Sequence, residues 1–396
     1  MKVIILIFTC FLMLNCSFDN KTGIWNNIEE NIKREERFAD FEKLYTEEKT
    51  FKSILKPKEN LNIIVNPPKI NNFWLDEFYQ DTNNLENYKF ANSNQTILKS
   101  KKLSRNNLKN KILFDGNYSV FTDEKGSIII YSVKDKEITL KYNFYKKKFK
   151  KIKKVLNIII NNKILYVGDN LGYLYSLNYL TGELIWAKNY KIPFRSNIKV
   201  LNEKIIITDI NNTLYFIDKK NGEKLKTIPS EIVTVKNNFV NSLATYNETV
   251  FFLNTYGSLY SINNKGRINW FINMKDSFDK NYGDIFFSNP LAISGNKIVV
   301  STDPYLYILN SDSGSTISKT SITSIFKPIL TKNNIFLITK DNLLVCLDFN
   351  SGKPIYSLNI GEEIANYLNN KKKFINVKYF SILNGNLFVF LSNSYF

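Results

Sequence analysis

An all-β architecture, a propeller of seven or eight four-stranded antiparallel blades, follows from three features of this 396-residue chain. The first is a phrase that recurs five times: Leu174-Tyr-Ser-Leu-Asn-Tyr-Leu-Thr-Gly182, Leu214-Tyr-Phe-Ile-Asp-Lys-Lys-Asn-Gly222, Leu259-Tyr-Ser-Ile-Asn-Asn-Lys-Gly266, Leu306-Tyr-Ile-Leu-Asn-Ser-Asp-Ser-Gly314 and Leu344-Val-Cys-Leu-Asp-Phe-Asn-Ser-Gly352. Its closing glycines lie 40, 44, 48 and 38 residues apart, a period typical of blades. The second is a short apolar, largely β-branched run before each phrase, such as Ile164-Leu-Tyr-Val167, Ile205-Ile-Ile-Thr208 and Ile298-Val-Val-Ser301. The third is a set of two-residue turns, Asn161-Asn162, Asn333-Asn334 and Asn384-Gly385, built from residues that tolerate the positive φ of tight hairpins.

From the N-terminus, residues 1–15 read as an export signal. Lys2 precedes an apolar run from Val3 to Leu14, too short to span a bilayer. The run ends Leu12-Met-Leu-Asn-Cys16-Ser, which resembles a bacterial lipoprotein signal with Cys16 as the lipidated residue. Met13 and Asn15 depart from the usual pattern; an ordinary cleaved signal is the other reading. Ser17 after the cysteine is similar to lipoproteins sent to the outer membrane. Residues 16–60 read as a tether. Ile28, Ile32, Phe38, Phe41, Leu44 and Tyr45 fall at roughly helical spacing within it. Lys56-Pro57 and Pro67-Pro68 break regular structure, and Leu61 to Val65 is a candidate strand.

Residues 61–396 are assigned to the propeller. One unit shows its logic: strands at Ser196–Leu201, Lys204–Asp209, Thr213–Asp218 and Glu223–Ile228, with turns between. Four such strands make a blade, and a blade needs its neighbours to bury both faces. The unit around Gly126-Ser-Ile-Ile-Ile-Tyr lacks the turn glycine. A seventh unit begins at Phe374, and Ser392-Asn-Ser-Tyr-Phe396 aligns with a third strand, so either a truncated C-terminus or an unusual closure is expected.

Composition narrows the chemistry. There is no histidine, which excludes imidazole acid–base catalysis, serine–histidine triads and histidine zinc sites. Cys346 is the one cysteine beyond Cys10 and Cys16, so no disulfide is expected within the propeller. Carboxylates such as Asp218, Asp312 and Asp348 sit in turns, where a structural role suffices. Trp186 and Trp270 both fall four residues after a repeat glycine, which suits blade packing. No catalytic, metal-binding or cofactor-binding residue is assigned. Net charge is +18, and residues 146–154 carry seven lysines, a solvated loop or a contact for anionic headgroups. An exported chain is not expected to bind nucleic acid.

Residues 172–186, Gly-x-Leu-Tyr-Ser-Leu-Asn-x-x-Thr-Gly-Glu-Leu-Ile-Trp, resemble the repeats of pyrroloquinoline-quinone-type propellers. Two groups share them, the quinoprotein dehydrogenases and the BamB family of outer-membrane assembly lipoproteins. The lipoprotein-like start, the unit size and Ile192-Pro-Phe-Arg195-Ser favour the second, whose inter-blade loop carries a leucine-x-leucine-arginine segment. The resemblance implies eight blades and a non-catalytic scaffold without cofactor. It implies a protein held by lipid on the periplasmic face of the outer membrane. Its partners would be a BamA-like core barrel subunit and unfolded outer-membrane proteins, with Ile192, Phe194 and Arg195 touching the core subunit. The family's acidic pair has no counterpart at residues 234–241. A quinone-dependent dehydrogenase and a polymer- or carbohydrate-binding propeller are the alternatives; the calcium ligand cluster and vicinal cysteines of the first do not stand out.

Overall fold

A computed structural model describes residues 51–396 apart from 92–98, 110, 146–148, 150, 235–237, 276–285, 370–375 and 393–396. Before residue 50, only two short strands are described, Ser17–Phe18 and Trp25–Asn26, paired antiparallel in a separate unit. The signal sequence, Cys16, the predicted helix and the last four residues therefore lie outside the described residues.

Six four-stranded antiparallel sheets follow one another, each in simple chain order. Blade 1 is built from Leu113–Phe114, Tyr118–Thr122, Ser127–Ser132 and Glu137–Asn143. Blade 2 holds Leu156–Asn161, Ile164–Asp169, Tyr173–Asn178 and Glu183–Asn189, and blade 3 holds Lys199–Leu201, Lys204–Thr208, Leu214–Asp218 and Lys224–Ile228. Blade 4 runs from Ser242 to Asn273, blade 5 from Ala292 to Thr320 and blade 6 from Ile329 to Asn359. The strand at 61–65 does not form: Ile63 and Val65 pack on the blade 6–7 core, but the segment pairs with no strand. Blade 7 differs. Val377–Leu383 and Asn386–Leu391 are antiparallel, and the third strand, Asn87–Tyr88, joins from far upstream and pairs parallel with Ile382 and Leu383. Between residues 51 and 396 the described residues thus form seven blades, where the resemblance implied eight.

Why these residues make blades is visible in the repeat phrase. Its Asn or Asp side chain accepts amide hydrogen bonds from the two or more residues that follow, as Asp218 does from Lys220 and Asn221. The glycine then adopts φ near +70° and bonds back to the same residue's carbonyl, as Gly222 does to Asp218 at 2.9 Å. A register shift precedes this turn in all six four-stranded blades, between Ser176 and Leu177 or Phe216 and Ile217 for example. Such bulges add twist. The first strands of blades 3 to 6 touch one another around the axis, while the fourth strands are largely exposed.

Apolar side chains form a cluster at each successive pair of blades from 1–2 to 6–7. The tryptophans do pack blades together. Trp186 lies against Gly222 of the next blade and donates Nε1–H to the Lys219 carbonyl at 3.1 Å; Trp270 does the same with Gly314 and Ser311 at 3.0 Å. Cys346 is fully buried, and burial pushes its thiol up to about 12.

Residues 74–88 pass through the hub. They bond to the first strands of the blades almost in numerical order. Trp74 exchanges two backbone bonds with Phe114 of blade 1, and Leu75 accepts from Ile160 of blade 2. Asp76 pairs with Lys199 of blade 3 at 2.7 Å, with both side chains almost wholly buried. The Asp81 carbonyl accepts from Thr245 of blade 4 and that of Thr82 from Ile293 of blade 5. Asn84 bonds both the amide and the carbonyl of Leu330 in blade 6, at 2.9 Å each. Asn87 and Tyr88 then become the extra strand of blade 7.

Candidate site on the inter-blade loops

The connection from blade 2 to blade 3 holds all three predicted contact residues, and its neighbours explain its shape. Asp169 and Asp209 sit in the turns between the second and third strands of blades 2 and 3. One oxygen of each caps its own turn, Asp169 accepting from Leu171 and Tyr173, and Asp209 from Asn211 and Thr213. The other oxygen of each takes a tyrosine hydroxyl, Tyr145 at 2.7 Å and Tyr215 at 2.8 Å. Burial raises the Asp169 pKa despite these hydrogen bonds.

The loop lies between these two turns. Tyr190 donates its amide to Gly172 and Phe194 to Asp169 on one side; Arg195 donates to Thr208, and Pro193 accepts from Ile210, on the other. Gly172 has φ +86°, and a Cβ there would stand 2.9 Å from the Ile192 backbone, so the close approach depends on glycine.

The three predicted residues are not equivalent. Phe194 is 3% exposed and meets Tyr190 and Tyr215 edge-on, with ring centroids 5.3 and 6.0 Å away. Its side chain is a support beneath the loop. Ile192 and Arg195 remain partly exposed. Arg195 Nη2 donates to the Phe239 carbonyl at 2.9 Å, tying the blade 2–3 loop to the blade 3–4 loop. Burial lowers its pKa, and a guanidinium stays cationic in proteins.

The neighbouring loops complete the surface. Phe239 packs against Phe286 and Phe287 of the blade 4–5 loop at 5.7 and 6.4 Å. Asn241 takes the Arg195 carbonyl on its amide and donates its side chain to Thr208 and Asp209. Glu231 accepts from Asn254, Ser258 and Tyr260 of blade 4. Burial alone would raise the Glu231 pKa, but hydrogen bonds from its own backbone and these side chains outweigh it and hold the carboxylate low. Around this frame Ile232, Tyr256 and Phe287 are exposed. Sequence reading missed them because they lie outside the repeat phrase and carry no spacing signal. The result is a surface at blades 2–5 with apolar side chains and one fixed arginine.

In the described part of the lysine run, Lys151 and Lys153 are exposed and only Lys154 is not. Lys154 is buried, donates to the Phe149 carbonyl and lies 5.0 Å from the Tyr145 ring centre. Among the described residues, no three cysteine, aspartate or glutamate side chains gather as metal ligands.

A family model described as outer membrane protein assembly factor BamB matches residues 153–357, just over half of the chain. The fold is similar to BamB from Moraxella catarrhalis, with a TM-score of 0.58, 12% identity, and 71% of this chain and 81% of that one covered. Saccharomyces cerevisiae Sqt1 also superposes, with a TM-score of 0.48 and 13% identity over 61% of this chain and 70% of that one. No curated protein matches the chain by sequence.

Proposed function

Since the chain belongs to the family of outer membrane protein assembly factor BamB, we propose that it is a non-catalytic scaffold of the barrel-assembly machinery, held on the periplasmic face of the outer membrane through lipid on Cys16. Its inter-blade loops at blades 2–5 dock a BamA-like core subunit, and the assembled machinery receives unfolded outer-membrane proteins. The observation that carries this reading is the loop surface itself. Ile192, Ile232, Tyr256 and Phe287 offer apolar contact, and Arg195 offers a planar donor fork already oriented by the Phe239 carbonyl. A side chain so held loses little freedom on binding. Phe194 serves from below by fixing the loop.

The quinoprotein alternative requires an axial cofactor. Residues 74–88 occupy the hub and bond to all seven blades, so a cofactor there has to displace part of the fold.

The test is co-purification with the core barrel subunit from cells making Ile192→Ala/Arg195→Glu in place of the parent chain. At least a tenfold loss of recovered partner is expected, with the variant still unfolding in one cooperative transition. Full recovery of the partner would reject this surface.

A further inference from the structure

We propose that residues 74–88 are the clasp that closes the propeller ring, acting together with blade 7, in which Asn87–Tyr88 joins the strands at 377–391. Among the described residues, six inter-blade interfaces have their own buried apolar cluster, and this segment bonds to both blade 1 and blade 7. Trp74 packs against the cluster of blades 1–2 and against that of blades 6–7. Beside it lies a cavity of about 350 Å³ lined by Trp74, Glu77, Phe78, Lys111, Ile112 and Leu113.

The polar contacts say the same. Asn83, fully buried with φ +59°, donates its amide to two carbonyls on different blades, Leu243 at 2.9 Å and Leu291 at 3.0 Å. Asn84 reads blade 6 through both its amide groups. Asn87 accepts from the Gly385 amide of blade 7 at 2.9 Å. Each bond meets a backbone group of a blade; the Leu243 carbonyl also accepts from Asn197 at 2.8 Å. Fifteen residues thus join all seven blades, and loosening any stretch of them loosens the ring as a whole.

Hydrogen exchange on the full chain reads this directly. In the unaltered protein, peptides covering 74–88 should exchange as slowly as the inner strands holding Thr245, Ile293 and Leu330. In Asn83→Ala/Asn84→Ala, which leaves every apolar cluster intact, exchange should rise at least tenfold at those strands. It should rise equally at 377–391 and 113–122, which neither asparagine touches. Acceleration confined to blades 4–6 overturns the proposal, because the segment is then filler for the hub. Should the double variant not fold, Asn84→Ala alone is read the same way. In the unaltered chain, exchange of 74–88 tenfold faster than the inner strands also overturns it.

Discussion

Phe194 and Lys327 show how burial changes what a residue can do. From sequence, Phe194 belonged with Ile192 and Arg195 in one contact motif; the apolar character was visible, but the direction of the side chain depends on Tyr190 and Tyr215, which flank it in space. Phe194→Ala should therefore cost about 3–5 kcal/mol of stability, the range for deleting a buried aromatic ring. Ile192→Ala should cost clearly less, and denaturant midpoints of the two variants decide the matter. Lys327 sits at the hub and donates to the carbonyls of Phe78 and Asn83. Burial and the nearby Lys199 bring its pKa down to about 7, with Asp76 and Glu77 opposing. An unfolded lysine titrates near pH 10.4. Between about pH 7 and 10 the unfolded chain consequently holds the extra proton, so stability should rise with pH across that window and lose this dependence below it. Unfolding midpoints of the parent and Lys327→Met, taken at several pH values, test this; a rise of equal size in both would show that another group is responsible.

The strands and turns were the readable part. Each blade's hairpins are local, so Asn, Asp and Gly at fixed offsets announced them, and the strands at 204–208, 214–218 and 224–228 fall where the pattern puts them. Placement of Trp186 and Trp270 in the repeat also pointed to their role, because a contact repeated with every blade leaves a period in the sequence. The bulges left no such sign, since an extra residue in a strand has no characteristic side chain. The strand at 61–65 failed for the opposite reason: alternation describes a half-buried extended segment whether or not a partner strand lies beside it. Gly222 allows the tryptophan contact to be measured. Its φ is +71°, and a Cβ would come within 2.9 Å of the Trp186 ring, whereas Gly295 has φ +57° and open space around it. Both Gly→Ala changes carry the backbone penalty of about 1 kcal/mol. Gly222→Ala should cost measurably more, and equal losses in thermal unfolding would mean that the tryptophan yields freely.

The blades were legible in the sequence, but their number stayed between seven and eight and the closure of the ring was not legible. Period and phrase gave the blades; nothing marked Gln80-Asp-Thr-Asn-Asn84 as anything but a polar turn, because its blade partners lie 119 to 246 residues downstream. Contacts of that separation have no local signature. They also impose an order of events. Residues 74–88 leave the ribosome before any strand of the blades they join, yet Leu330 and Leu383 come close to last. Until those arrive, the segment has only some of its partners. Contacts that wait for distant chain to be made are slow to form and leave intermediates prone to aggregate. The earliest-synthesised part of the ring is thus among the last to be seated, and for hundreds of residues of translation it must be kept from mispairing.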